Sequence, residues 1–289
     1  MAKPTDESPV AEPAVLRERR GAARASDRKW RTGITLIEPN KILLRGYPLD
    51  ELMGRVSFAE AIYLLLIGEL PTPAIGRLME ALFVSSIDHG PTPPSTLAAR
   101  NVATTGAPLR ASVAAGVLAF GKYHGGDIES CLRFLDSGLA MVRAGKSYAE
   151  AAEQIVRPCR QANEVPPGFG HRFHSRDPRT ARLFQMALEL ELEGEHIQMI
   201  RAVERVLDAD HLDGEAHVPI NVDGAIAAVC GDLGLQAEIG DALFIISRVP
   251  GLIAQAQEER ARHKPMRQID PKDHTYDGPR ERRLPETRK

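Results

Sequence analysis

After the segment ITLIEPNKILLRGYPL, residues 34–49, the apolar residues of this 289-residue chain nowhere alternate as a half-buried strand requires. They recur at helical spacing instead. In FAEAIYLLLIGEL, Phe58, Ile62, Leu65 and Leu66 fall on one side of a helix. Ser57 with Glu60 three residues on forms a capping box that starts it, and Gly68 and Pro71 end it. Asp177-Pro178 is a second start signal, a capping acceptor followed by proline at the first helical position, before TARLFQMALELELEG. Helical windows follow at 197–207, 224–233 and 241–262, with a break expected at Pro250-Gly251. The opening segment has two short β-like runs around Glu38-Pro39-Asn40, which predicts a small hairpin. A mostly α fold follows.

Composition narrows the function classes. With 43% hydrophobic residues the chain can bury a sizeable core. A net charge of -2 supplies no broad attraction to nucleic acid or an anionic membrane. Cys131, Cys159 and Cys230 cannot all pair and show no C-x-x-C spacing, which fits a reducing cytoplasm. No apolar run reaches the roughly 20 residues needed to span a bilayer, and the charged N-terminus does not read as a signal peptide. Residues 1–29, rich in Pro, Ala, Arg and Glu, read as a disordered arm, and residues 264–289 as a polar, extended tail.

Loops expected at 91–94, 164–170 and 211–221 each hold or adjoin a histidine, and loops on a rigid scaffold commonly carry chemistry. Polar chemistry concentrates at Asp88-His89, at His124-Gly125-Gly126, in PPGFGHRFHSRDPR (166–179) and in NVDG (221–224). Gly168 and Gly170 allow a ligand to approach the backbone closely. Arg179, in a first helical turn, opposes the helix dipole unless an anion lies between them. Taken singly, His89 and His124 read as capping or hydrogen-bonding residues, Asp223 as the N-cap of a helix starting at Gly224, and His171 and His174 as part of a solvated basic loop. No metal site is expected, because no histidine pair sits in an H-E-x-x-H pattern.

Taken together, the motifs resemble the citrate synthase superfamily from about Thr32 to Pro279. The resemblance rests on TGITLIEPNKILLRGYPLDEL, SFAEAIYLLLIGELPT, DHGPTPPSTLAAR, GKYHGGDIE, PGFGHRFHSRDPR, NVDGAIAAVCGDLG and ISRVPGLIAQAQEE in that order. It implies an all-α homodimer, with a large domain from residues 30–125 and 243–289 and a smaller one, 126–242, that closes over the ligands. It implies a reaction that makes or breaks the bond between an acyl-CoA, typically acetyl-CoA, and oxaloacetate. The CoA thioester is then a substrate, and no cofactor is held tightly. By position, Asp223 would be the base for the acetyl methyl proton, His124 the donor to the thioester enolate, and His171 the acid for the ketone oxygen. His89, Arg179, Arg248 and Arg267 would hold the 2-oxo acid, and the backbone of Pro167, Gly168, Phe169 and Gly170 would lie against the CoA adenine.

The chain departs from the synthase pattern. Asp127 and Glu129 stand where HGGAN has an amide and a small residue. KPMRQID replaces R-P-R-x-x-Y, leaving Lys264 or Arg267 to serve a neighbouring subunit's site, and the His171 to Arg179 spacing is one residue short. These features resemble the branch of citryl-CoA lyase and the lyase portion of ATP-citrate lyase. Citrate or 2-methylcitrate synthase, a condensing enzyme for another 2-oxo acid, and a non-catalytic acyl-CoA or dicarboxylate sensor stay open beside it.

Overall fold

The computed structural model describes residues 30–121, 124–125, 127–171, 174–210 and 218–284. The arm of residues 1–29 and positions 211–217 of the expected loop lie outside the described residues. The expected hairpin is present as β1 (Thr35–Glu38) and β2 (Lys41–Leu44), and a short β3 (Tyr47–Pro48) extends it to an antiparallel sheet of order β1-β2-β3. Glu38 pairs with Lys41 at the turn, where Asn40 takes φ 57°. Otherwise helices dominate, α1 (Leu49–Leu52) through α11 (Ala237–Arg262).

The predicted start signals operate as read. For α2 (Phe58–Ile67), Ser57 N donates to Glu60 Oε2 at 2.6 Å and Glu60 N donates to Ser57 Oγ at 3.2 Å, while Gly68 closes the helix at φ 95°. Next come α3 (Pro73–Ser85), α4 (Pro94–Ala103) and α5 (Leu109–Leu118), then α6 (Asp127–Arg143) and α7 (Tyr148–Ala162). The series continues with α8 (Pro178–Glu189), α9 (Glu195–Asp210) and α10 (Val222–Asp232). The break expected at Pro250 is absent. Proline removes one helical donor, but Gly251, Leu252 and Ala256 are buried on the same stretch, and that packing keeps α11 continuous.

The chain divides into two compact units. The first comprises the chain up to Asp88 together with Gly121–Arg248. Its centre is α10, in which every residue from Gly224 to Cys230 is buried. A helix apolar on all sides must be enclosed, and α6, α8 and α9 pack around it. Burying side chains such as Ile226 and Val229 stabilises the unit by about 1.5–3 kcal/mol each. The polar residues of α10, Asp223 and Asp232, are confined to its ends. The second unit comprises His89–Phe120 and the chain from Val249 on. In it α4 packs on α5, and Gly116 lets Leu252 come close: a Cβ there would stand 2.8 Å from Leu252 Cδ1.

Candidate active site

The N-terminal turn of α10 organises the site. Asn221, not Asp223, is the N-cap: its side chain accepts from Gly224 N at 3.0 Å. Asp223 therefore lies inside the first turn and is released from capping, because the preceding asparagine already satisfies the orphan donor. The Asn221 amide also donates to the carbonyls of Phe169 and Gly170, at 3.2 and 3.1 Å. Asn221 N donates to Gly168 O at 3.0 Å, and Phe169 and Ile220 form an antiparallel bridge. The two motifs are thus laced together by backbone.

Glycine is required on both sides of that contact. Gly168 sits at φ 84°, and a Cβ there would overlap Cys131 Sγ; a Cβ on Gly224 would overlap the Gly168 carbonyl. From the start of α6, Asp127 Oδ2 accepts from Gly168 N at 3.2 Å. Just before it, Gly121 and His124 exchange both backbone hydrogen bonds, at 2.9 and 2.8 Å, and Gly125 takes φ 72°.

Four charged side chains act on Asp223. Burial first, and then the Asp127 carboxylate, push Asp223 up to about 6; Arg179 and Arg248 pull it down and Asp241 adds to the rise. Arg248 is itself only 2% exposed, and burial lowers it, against the pull of Asp88 and Asp223. Its Nε donates to Ser86 O at 2.8 Å, and its guanidinium lies 4.8 Å from the Phe244 ring centroid. Arg179 Nη1 reaches Ser85 O at 3.5 Å, and the Ser247 hydroxyl donates to Phe83 O. The carbonyl end of α3 thus anchors both arginines, as the negative pole of a helix favours.

The anion demanded by Arg179 is built in. The buried Asp177 caps α8 by accepting from Arg179 N at 2.9 Å, and accepts from Arg179 Nε and Nη2 at 3.0 and 2.7 Å. Burial works against Asp177 ionising, but those hydrogen bonds win and hold its carboxyl below the usual range. In the adjoining loop His174 N donates to His171 Nδ1 at 3.1 Å, and the two rings stack 4.3 Å apart. A neutral His171 that accepts at Nδ1 carries its own proton on Nε2.

The expected residues His171, Arg179, Asp223 and Arg248, with the Pro167–Gly170 loop, thus belong to one linked assembly in the first unit, and His124 lies three residues before α6. His89 and Arg267 belong to the second unit. There His89 is exposed, and Arg267 donates to Glu259 Oε1 through Nε and Nη2, at 3.0 and 2.7 Å. Sequence reading missed Asp127 as a loop anchor, Ser247, and Asn221 as the cap. Only the last had a local signal, an asparagine three residues before Gly224. Among the described residues no group of three His, Cys, Asp or Glu could hold a metal ion, and no helix is long and apolar enough to cross a membrane.

A mostly helical fold whose buried carboxylate, arginines and histidine loop converge on one helix N-terminus defines a class, and comparison with known proteins supplies its family. Residues 71–269 match the family described as "Citrate synthase, C-terminal domain". The chain belongs to the citrate synthase family. It is 43% identical to citryl-CoA lyase from Hydrogenobacter thermophilus, with a TM-score of 0.80 over 90% of this chain and 99% of that one. ATP citrate lyase of Methanosaeta concilii, solved with (3S)-citryl-CoA, shares the fold, with a TM-score of 0.72 at 21% identity over 97% of this chain and 47% of that one. Citrate synthase of Helicobacter pylori is 29% identical over 77% of this chain and 50% of its own length. The chain spans about half or less of the curated relatives it matches, 36% of the Dictyostelium discoideum citrate synthase among them.

Proposed function

We propose that this protein is an enzyme that makes or breaks the carbon–carbon bond between acetyl-CoA and oxaloacetate, and that it works as a citryl-CoA lyase. The observation that carries the reading is Asp223, a carboxyl pushed up to about 6 between two arginines. In cleavage the tertiary hydroxyl of citryl-CoA gives its proton to the His171 imidazole. The bond to the acetyl carbon breaks, its electron pair passes into the thioester as an enolate, and oxaloacetate forms. His124 donates a hydrogen bond to the enolate oxygen, and the Asp223 carboxyl protonates the enolate carbon to give acetyl-CoA. Synthesis runs the same steps backwards.

Cleavage must start with the proton on Asp223. At pH 7 a carboxyl titrating at about 6 holds its proton in about one molecule in ten, against about one in a thousand for an ordinary aspartate. A sensor that only bound ligand would have no use for that. Arg179 and Arg248 suit the substrate carboxylates, since planar guanidinium groups match them bidentately. For Arg179 this means sharing its fork with Asp177. A groove of about 320 Å³ beside Asp177 and Thr180 sets Arg176, Arg201 and Arg205 against Asp177, Glu204 and Asp208, so its charges balance. The reading includes no tightly bound cofactor, a closing domain over residues 126–242, a cytoplasmic homodimer, His89 as a substrate ligand, and Arg267 reaching a neighbouring site by exchanging Glu259 for a substrate carboxylate.

The test is purified protein given citryl-CoA in one tube and acetyl-CoA with oxaloacetate in another. Fast release of oxaloacetate with slow release of free thiol is the expected result. The reverse makes it a synthase, and silence in both refutes the reading.

A further inference from the structure

Asp127 opens α6 close to Asp223, and nothing in the reaction as written uses it. Its carboxylate accepts a hydrogen bond from Gly168 N at 3.2 Å, at the point where Gly168 presses onto Gly224. It thereby ties α6 to the loop that covers the first turn of α10. Its charge also reaches Asp223 and the buried thiol of Cys131, which burial and these two carboxylates hold protonated.

We infer that Asp127 is a positioning residue for Asp223: it pins the Pro167–Gly170 loop onto the first turn of α10, and its negative charge keeps Asp223 supplied with the proton that cleavage delivers to carbon. This rests on the lyase reading and deepens it. The charges facing Asp223 come from several elements. Asp127 on α6 and Asp241 on α11 favour the protonated form, while Arg179 on α8 and Arg248 on α11 favour the carboxylate. Burial already raises Asp223, and the two arginines oppose it by favouring the carboxylate that would take a proton from acetyl-CoA. Asp127 shifts that balance toward giving one. A neutral residue at this position would leave a site better suited to synthesis.

Two substitutions separate the tie from the charge. Asp127→Asn keeps an oxygen for Gly168 N and removes the charge, whereas Asp127→Ala removes both. In the unliganded protein, the Asp223 carboxyl is followed by carbon NMR with labelled aspartate and assigned by its loss in Asp223→Asn. Asp127→Asn should move its titration to lower pH. Cleavage of citryl-CoA by this variant at pH 7 should fall about tenfold per unit of that movement and recover as the pH is lowered, with KM unchanged. Asp127→Ala should in addition raise KM, because the loop is released. If Asp223 in Asp127→Asn titrates as in the wild type, or the pH profile of cleavage overlays the wild-type profile, the inference is wrong. Should the wild type fail to cleave citryl-CoA, the lyase reading falls, and the NMR titration still decides whether Asp127 governs Asp223.

Discussion

The two units each bury opposite charges, and they resolve them differently. In the second unit Arg100, 5% exposed, donates from Nε to Glu259 Oε2 at 2.9 Å and from Nη1 to Gln255 at 2.5 Å. Arg267 completes the pairing of Glu259, whose carboxyl is held below its usual range: burial opposes ionisation, and the hydrogen bonds and charge of Arg267, with Arg100, prevail. Arg100, Glu259 and Arg267 each have a partner in contact. In the first unit Asp223 sits among Arg179, Arg248, Asp127 and Asp241, and it ends up raised. A satisfied network stabilises and is chemically silent; an unbalanced one leaves a group whose proton is available near neutral pH. That contrast separates scaffold from site within one chain.

The largest expected effect breaks the unbalanced side. Asp223→Asn should lower turnover by about 10²–10⁴-fold, the usual contribution of a positioned acid or base, while the melting temperature holds or rises because a buried carboxyl is removed. Breaking the balanced side should do the opposite. Glu259→Ala leaves Arg100 buried beside an empty place, and unfolding in urea should show a loss of about 3–5 kcal/mol. Because the Glu259 carboxyl is lowered in the folded state, its contribution is present above the unfolded pKa and lost as the pH falls through the folded one. Urea midpoints of wild type and Glu259→Ala should therefore converge on acidification.

A third substitution tests the backbone contact that holds the site. Gly224→Ala drives a methyl group into the Gly168 carbonyl and should cost about 1–3 kcal/mol by overpacking, with turnover falling further than stability. The smallest effect is expected at the far end of α10. His196 lies between Asp232 and Asp136, with Nδ1 and Nε2 at 3.1 and 3.0 Å from their oxygens. Burial lowers its pKa, but the hydrogen bonds and charge of Asp232 and Asp136 outweigh it and raise it. Its contribution is thus full below the unfolded pKa and fades as the pH rises through the folded one. Thermal melts of wild type and His196→Gln should differ at low pH and converge as the pH rises.

Much of this was legible in the residues. The hairpin, the Ser57–Glu60 box, the Asp177-Pro178 start and the all-α character follow from local rules that act over three or four residues. The same S-x-x-E signature at Ser147 and Glu150 starts α7 with both reciprocal hydrogen bonds, although the sequence reading passed over it. The helices α3, α5 and α6 were also unmarked, although Ile128, Leu132, Leu135 and Leu139 recur at helical spacing on the buried face of α6. The continuity of α11 through Pro250 was illegible because tertiary burial decides it. In the site, the histidines, arginines and Asp223 could be picked out by motif. The departure at Asp127 was visible as a residue but not as a function, because its partner Gly168 lies 41 positions away. Capping by Asn221 in place of Asp223 was a choice between two acceptors two positions apart that only the fold makes.

The most direct test of the account is cleavage of citryl-CoA in deuterated water, with the acetyl-CoA product weighed by mass spectrometry. The wild type should deliver one solvent-derived deuterium to the methyl group, and Asp223→Asn should form almost no product. Turnover by Asp223→Asn at a rate near that of the wild type, with the same deuterium content, would contradict the assignment of Asp223 as the proton donor to carbon.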